Sequence, residues 1–163
     1  MKMPTTRQAA LLAALVAGFA LCFALASEYW GGLVPCALCL WERWPYRVAI
    51  ALGAAGVLLP RKWLVALLLP TMLVAAGLAF VHVGVEQGLW PSPLPECASP
   101  LVTGGSIAER LARMPALPAK PCDEPTYLIP FLPVSMAAMN FLFALAFATA
   151  LAIWLWRGGK DRA

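Results

Sequence analysis

Charge is scarce in this sequence. Only 12% of its 163 residues are Asp, Glu, Lys or Arg, whereas 62% are hydrophobic. With a mean hydropathy of +0.78, these values exclude an ordinary water-soluble domain and point to an integral membrane protein. No glycine-rich phosphate loop, serine nucleophile constellation or nucleic-acid-binding module is present, so the net charge of +4 is not read as a nucleic-acid footprint. A second Cys-x-x-Cys is also missing, which excludes a zinc ribbon, and no metal is expected. There is no internal repeat.

What is present is four apolar runs: Ala9–Ala26, Leu40–Leu59, Trp63–Val85 and Val134–Trp156. Each is about the ~20 residues that cross a bilayer as a helix. The second run carries Glu42, Arg43 and Arg47 in its first turns, so it spans only if Trp41, Trp44 and Tyr46 form an aromatic belt at the interface. Basic residues cluster at Lys2 and Arg7, at Arg61 and Lys62, and at Arg157, Lys160 and Arg162. Under the positive-inside rule these regions are cytoplasmic. The expected fold is an all-α membrane four-helix bundle in a single domain, with both termini inside and outer loops at Glu28–Pro35 and Glu86–Pro133. The start of the chain also imitates a secretory signal ending in Ala24-Leu25-Ala26, but its apolar run exceeds the ~7–15 residues of a signal core. Within the long outer loop, "SIAERLARM" has the spacing of a short amphipathic surface helix over Ser106–Met114.

Of five cysteines, Cys36, Cys39, Cys97 and Cys122 fall on the outer, oxidising side, and Cys22 lies within the first apolar run. Two outer pairs point to disulfides. A Cys97/Cys122 bridge would be an ordinary loop staple. Cys36 and Cys39 close so short a loop that a bridge gains little chain entropy, and this spacing is the usual form of a redox couple. Pro35 suits the first turn of a helix, which would place both sulfurs near a helix N-terminus that favours thiolate. Arg43 follows Cys39 at helical spacing and would share its face, whereas Arg47 is read as snorkelling to headgroups. His82, the only histidine, precedes Glu86 by one helical turn; the pair could handle a proton or hydrogen-bond the headgroup of a bound cofactor. Cys22 is read as an inert packing residue.

Three segments carry a family resemblance: "PCALCLWERWPY" heading the second run, "HVGVEQGLWPSPLPEC" entering the outer loop and "PCDEPTYLIPFLPVSMAAMN" leaving it. Together with the four-run hydropathy, they make the chain similar to the bacterial inner-membrane disulfide bond formation proteins of the DsbB family. That resemblance implies an oxidoreductase that reoxidises a periplasmic DsbA-like thiol oxidase and passes electrons to a membrane quinone, ubiquinone or menaquinone, with the redox cysteines facing the periplasm. It further implies that Cys97 forms the mixed disulfide with the partner and that Cys122 attacks Cys36 to free Cys39. Cys39 would then engage the quinone, with Arg43 stabilising thiolate and quinone. The chain departs from the pattern where His82 falls upstream of the family's quinone-associated histidine, in a proline-richer loop, and in having Cys22. Two rival readings are a quinone reductase of the vitamin K epoxide reductase type and a non-enzymatic membrane scaffold with structural disulfides.

Overall fold

The computed structural model describes residues 4–97, 106, 108, 120–128 and 133–160. Four long helices dominate them: α1 (Thr6–Tyr29), α2 (Ala37–Leu58), α3 (Lys62–Glu86) and α4 (Met136–Lys160). No strand occurs among the described residues, only an isolated bridge between Tyr127 and Ser135. The surface helix expected over Ser106–Met114 lies almost wholly outside the described residues.

Local chemistry sets the helix ends where hydropathy alone was imprecise. At the head of α1, Thr5 Oγ1 accepts from the Gln8 amide at 3.3 Å and Gln8 Oε1 accepts from the Thr5 amide at 2.9 Å, a capping box. Ser135 Oγ accepts from the Ala138 amide at 3.2 Å, so α4 begins just after the serine. The head of α2 differs from expectation. Pro35 is outside the helix, and Cys36 itself is the N-cap, with extended backbone (φ −80°, ψ 172°) and its sulfur accepting from the Cys39 amide. A thiol in place of the usual serine or aspartate meets an orphan amide of the first turn. For this reason α2 starts before Leu40.

α1, α3 and α4 are long and apolar enough to cross a membrane. α2 is of similar length, but Glu42, Arg43 and Arg47 interrupt its hydropathy. Trp41 and Trp44 are exposed on it, and the Arg47 guanidinium lies 5.0 Å from the Trp44 ring centroid. The arginine expected to snorkel therefore rests on an aromatic face.

The helices alternate in direction, with α1 packed on α2, α2 on α3 and α3 on α4, and α1 also touches α3. One end gathers the end of α1, the heads of α2 and α4 and the end of α3. At the other end Lys62 Nζ donates to the Gly158 carbonyl at 3.1 Å, and Trp154 Nε1 donates to the Pro4 carbonyl at 3.0 Å. α1 and α4 contribute to the same core but leave two gaps between them, one at each end of their shared face.

The core is built largely from alanine: Ala10, Ala13 and Ala17 of α1, Ala49 of α2, Ala75 of α3 and Ala144 of α4 surround Leu68 and Met72. Small residues let helices approach closely where lipid supplies no hydrophobic drive for association. Gly53 marks the tightest seam, since a Cβ there would sit 2.9 Å from the Ala10 carbonyl oxygen and 2.8 Å from Ala14 Cβ. Gly53→Val should cost about 1–3 kcal/mol by overpacking and lower the Tm in detergent. Gly77→Ala, whose added methyl meets nothing within 4 Å, should not lower it.

Candidate functional site

The site starts from the N-cap. Cys36 Sγ accepts from the Cys39 amide at 3.2 Å and lies 2.8 Å from Cys39 Sγ, both residues being free thiols. The Cys39 thiol donating to its sulfur holds the Cys36 thiol below its ordinary value, against the opposing effect of burial. As a residue Cys36 is buried and Cys39 is half-buried.

Behind the pair stands His82 of α3. Its Nε2 is 3.5 Å from Cys36 Sγ, and its Nδ1 is 2.7 Å from Glu42 Oε1. Glu42 Oε2 accepts from Asn140 Nδ2 of α4 at 2.6 Å, and Asn140 Oδ1 accepts from the Tyr46 hydroxyl at 2.6 Å. With Nδ1 turned to the Glu42 carboxylate, Nε2 is the ring nitrogen directed at the sulfurs. Glu86, expected beside His82, is there with Oε1 at 4.0 Å from Nε2, and its other oxygen accepts from the Ser135 hydroxyl. The donor atoms of Cys36, Cys39 and His82 all lie within 4.8 Å of one another.

On the other side of Cys39 is a cavity of about 390 Å³ between α1, α2 and α4. Phe19, Phe23 and Phe143 contribute to its apolar wall, and Glu28, Cys39, Glu42, Arg43, Tyr46 and Asn140 are among its polar groups. Arg43 faces the same cavity as Cys39, as their spacing predicts, but its guanidinium is engaged by Glu28 of α1 at 2.7 Å. His82 is not among the residues that line the cavity; it meets Cys36 from the opposite side.

Cys97 and Cys122 form a disulfide. It is deeply buried, Cys97 being 4% exposed and Cys122 0%, in one cluster with Cys36, Leu38 and Val85, against which Cys39, Trp90 and Leu94 pack. The four cysteines singled out from sequence thus converge. Cys22 is exposed on α1. The loop is seated by Trp90, whose Nε1 donates to the Val81 carbonyl at 3.0 Å. Gly84 makes room for it, because a Cβ there would lie 1.9 Å from the indole ring.

Glu28, Glu42, Tyr46, Asn140 and Trp90 were not singled out as site residues from sequence. Glu42 carried a signal: an acidic residue within a spanning segment is costly unless partnered, and the partner here is the single histidine. Asn140 carried the same signal in weaker form, as a lone amide in an apolar run.

A family model described as "Disulfide bond formation protein DsbB" matches residues 6–155. A curated relative, "Uncharacterized protein RP370" of Rickettsia prowazekii (strain Madrid E), is 29% identical over 139 residues, covering 83% of this chain and 80% of its own length. No solved structure matches the chain.

The seating of the loop has a direct test. Gly84→Ala should displace the Trp90 ring and loosen the cover over Cys97–Cys122. Reduction of that disulfide by soluble dithiothreitol should then run severalfold faster than in wild type, and an unchanged rate would show that Trp90 does not hold the loop down.

Proposed function

The chain belongs to the DsbB family of disulfide bond formation proteins, and we propose that it reoxidises a soluble DsbA-like thiol oxidase and delivers the electrons to a membrane quinone. The observation that carries this reading is the packing of both cysteine pairs into one buried cluster, with Cys39 reaching the wall of a cavity between α1, α2 and α4. Electrons could enter from water through the loop pair and leave toward lipid through the helix-head pair.

The exchange begins with Cys97–Cys122 and Cys36–Cys39 both bridged. A thiolate of the reduced partner attacks Cys97, and the leaving Cys122 thiolate attacks Cys36, expelling Cys39 as thiolate. The partner's second thiol resolves its bond to Cys97 and departs oxidised; Cys97 then takes back Cys122 and releases Cys36. The partner has lost two electrons and two protons, and the Cys36/Cys39 pair holds the electrons. The arrangement found, with the loop pair bridged and the helix-head pair as thiols, matches this last stage. Because Cys97 and Cys122 are so fully covered, the loop has to lift before the partner can reach them.

The cavity suits a quinone headgroup in size and chemistry. Its volume of about 390 Å³ lies within the ~300–1,000 Å³ of small-molecule sites. Its aromatic wall matches a flat ring, and Arg43, whose guanidinium has more N–H donors than Glu28 can occupy, offers a hydrogen-bond donor for a carbonyl oxygen. A bound quinone would supply the sink for two electrons. Cys39 faces that space, Arg43 counters negative charge on its sulfur, and Asn140 and His82 keep the Glu42 carboxylate fixed. We place this end of the bundle on the periplasmic side, since Arg61, Lys62 and Arg157 sit at the opposite end.

Quinone reduction by the purified protein in lipid or detergent, with reduced DsbA as donor, tests the reading. Wild type should turn over and Cys39→Ser should not. Inactivity of folded wild type with several quinones would favour a scaffold held by structural disulfides. Arg43→Ala should raise the quinone KM by about tenfold or more, the scale of a lost charge-assisted hydrogen bond, while weakening capture of DsbA less. Equal loss of both would reduce Arg43 to a support of the fold through Glu28.

A further inference from the structure

The cluster behind Cys36 has the composition and the orientation of a cation site. When the helix-head pair is reduced, two sulfurs and one imidazole nitrogen converge within 4.8 Å, and two carboxylates, Glu42 and Glu86, both face the same His82. Arg43, the nearest arginine in sequence, is engaged by Glu28. Two thiols, two acids and one histidine in a buried setting make a strongly electron-rich group of donors, which a divalent cation would compensate.

We propose that the reduced Cys36/Cys39 pair and His82 form a redox-conditional binding site for a thiophilic divalent cation, with zinc as the physiological candidate. Two sulfurs and one imidazole nitrogen are a borderline-soft donor set of the kind zinc takes. The geometry needs little change. Ideal tetrahedral zinc places a sulfur and a nitrogen ligand about 3.5 Å apart, and Cys36 Sγ and His82 Nε2 are 3.5 Å apart. The two sulfurs, at 2.8 Å, must separate by about 1 Å, which rotation of the Cys39 side chain allows.

The groups that would orient the histidine ligand are already in place. A zinc-bound histidine commonly donates its other ring nitrogen to a carboxylate, which fixes the tautomer and the ring plane. Glu42 Oε1 at 2.7 Å from Nδ1 does this here, and Asn140 holds the other carboxylate oxygen at 2.6 Å. The fourth position would be left to water or to Glu86. Binding displaces two thiol protons and forms two metal–sulfur bonds with no change in oxidation state: M²⁺ + 2 RSH → M(SR)₂ + 2 H⁺. Once the pair closes to a disulfide the donors are gone, so the site exists only in the dithiol state. A bound cation would hold back the thiolate of Cys39 and arrest electron delivery until it is chelated.

The site does not depend on the identity of the electron acceptor, so its test is separate from quinone turnover. The full-length protein is reduced anaerobically and titrated with Co²⁺ in a Cys22→Ser, Cys97→Ala, Cys122→Ala background, so that Cys36 and Cys39 are the only thiols. The expected result is one equivalent of Co²⁺ with a sulfur-to-metal charge-transfer band, displaced by Zn²⁺ and absent after oxidation of the pair. Glu42→Gln, which keeps every ligand, should weaken binding by about 10- to 100-fold, and His82→Ala by at least as much. Wild type with its loop disulfide intact should show the same stoichiometry. Helicity by circular dichroism checks that each variant is folded. The proposal fails if folded, reduced protein gives no charge-transfer band. It also fails if the oxidised pair binds equally, or if folded His82→Ala and Glu42→Gln bind as tightly as the parent, which would mean that two thiols bind alone.

Discussion

The carboxylate of Glu42 is the point on which the rest of the structure turns. It projects from α2, takes a hydrogen bond from His82 on α3 and another from Asn140 on α4, and Asn140 is in turn held by Tyr46 from α2. Three of the four helices thus meet at a single buried acid. Through the middle of the bundle the contacts are largely between alanines, aliphatic and aromatic side chains, which lipid tails could almost match. A satisfied polar network has no such substitute in an apolar setting, because each group left without its partner would bear the full cost of desolvation. The network therefore specifies how α2, α3 and α4 are rotated about their own axes, which side chains alone of similar size could not do.

That rotation divides the head of α2 into two faces with different neighbours. Cys36, at the cap, is turned toward His82 and the loop disulfide. Cys39 is turned toward the cavity and Arg43. The Cys-x-x-Cys spacing alone allows both sulfurs to share one environment, yet the cap geometry separates them: the first sulfur belongs to the helix terminus and the second to the first turn. The two sulfurs thus touch at one helix head, both near His82 and the loop disulfide, and Cys39 alone also lines the cavity.

The gaps left between α1 and α4 are as consequential as the contacts that form, because one of them is the cavity that Cys39 and Arg43 line. The outer loop makes the opposite choice: Trp90, set into the space above Gly84, anchors its start, and the buried bridge between Cys97 and Cys122 presses onto Cys36. At this end of the protein the loop disulfide covers Cys36, while Cys39 lines a cavity between α1, α2 and α4.

Hydropathy, basic-residue placement and cysteine spacing were enough to read the number of helices, their approximate limits and the four sulfurs, because each depends on local or one-dimensional physics. Limits shifted by a few residues where a cap decided them, as at Cys36 and Ser135. The family was legible from the motif around Cys36 and Cys39 with the separate loop pair. What could not be read was which distant residues meet. His82 is paired in sequence with Glu86, but its shorter contact is to Glu42, from a different helix; Arg43 is paired by spacing with Cys39, but its charge is met by Glu28. Sequence period determines which face a residue occupies, whereas the partner across that face depends on how neighbouring helices are rotated and spaced, and only the tertiary packing decides that.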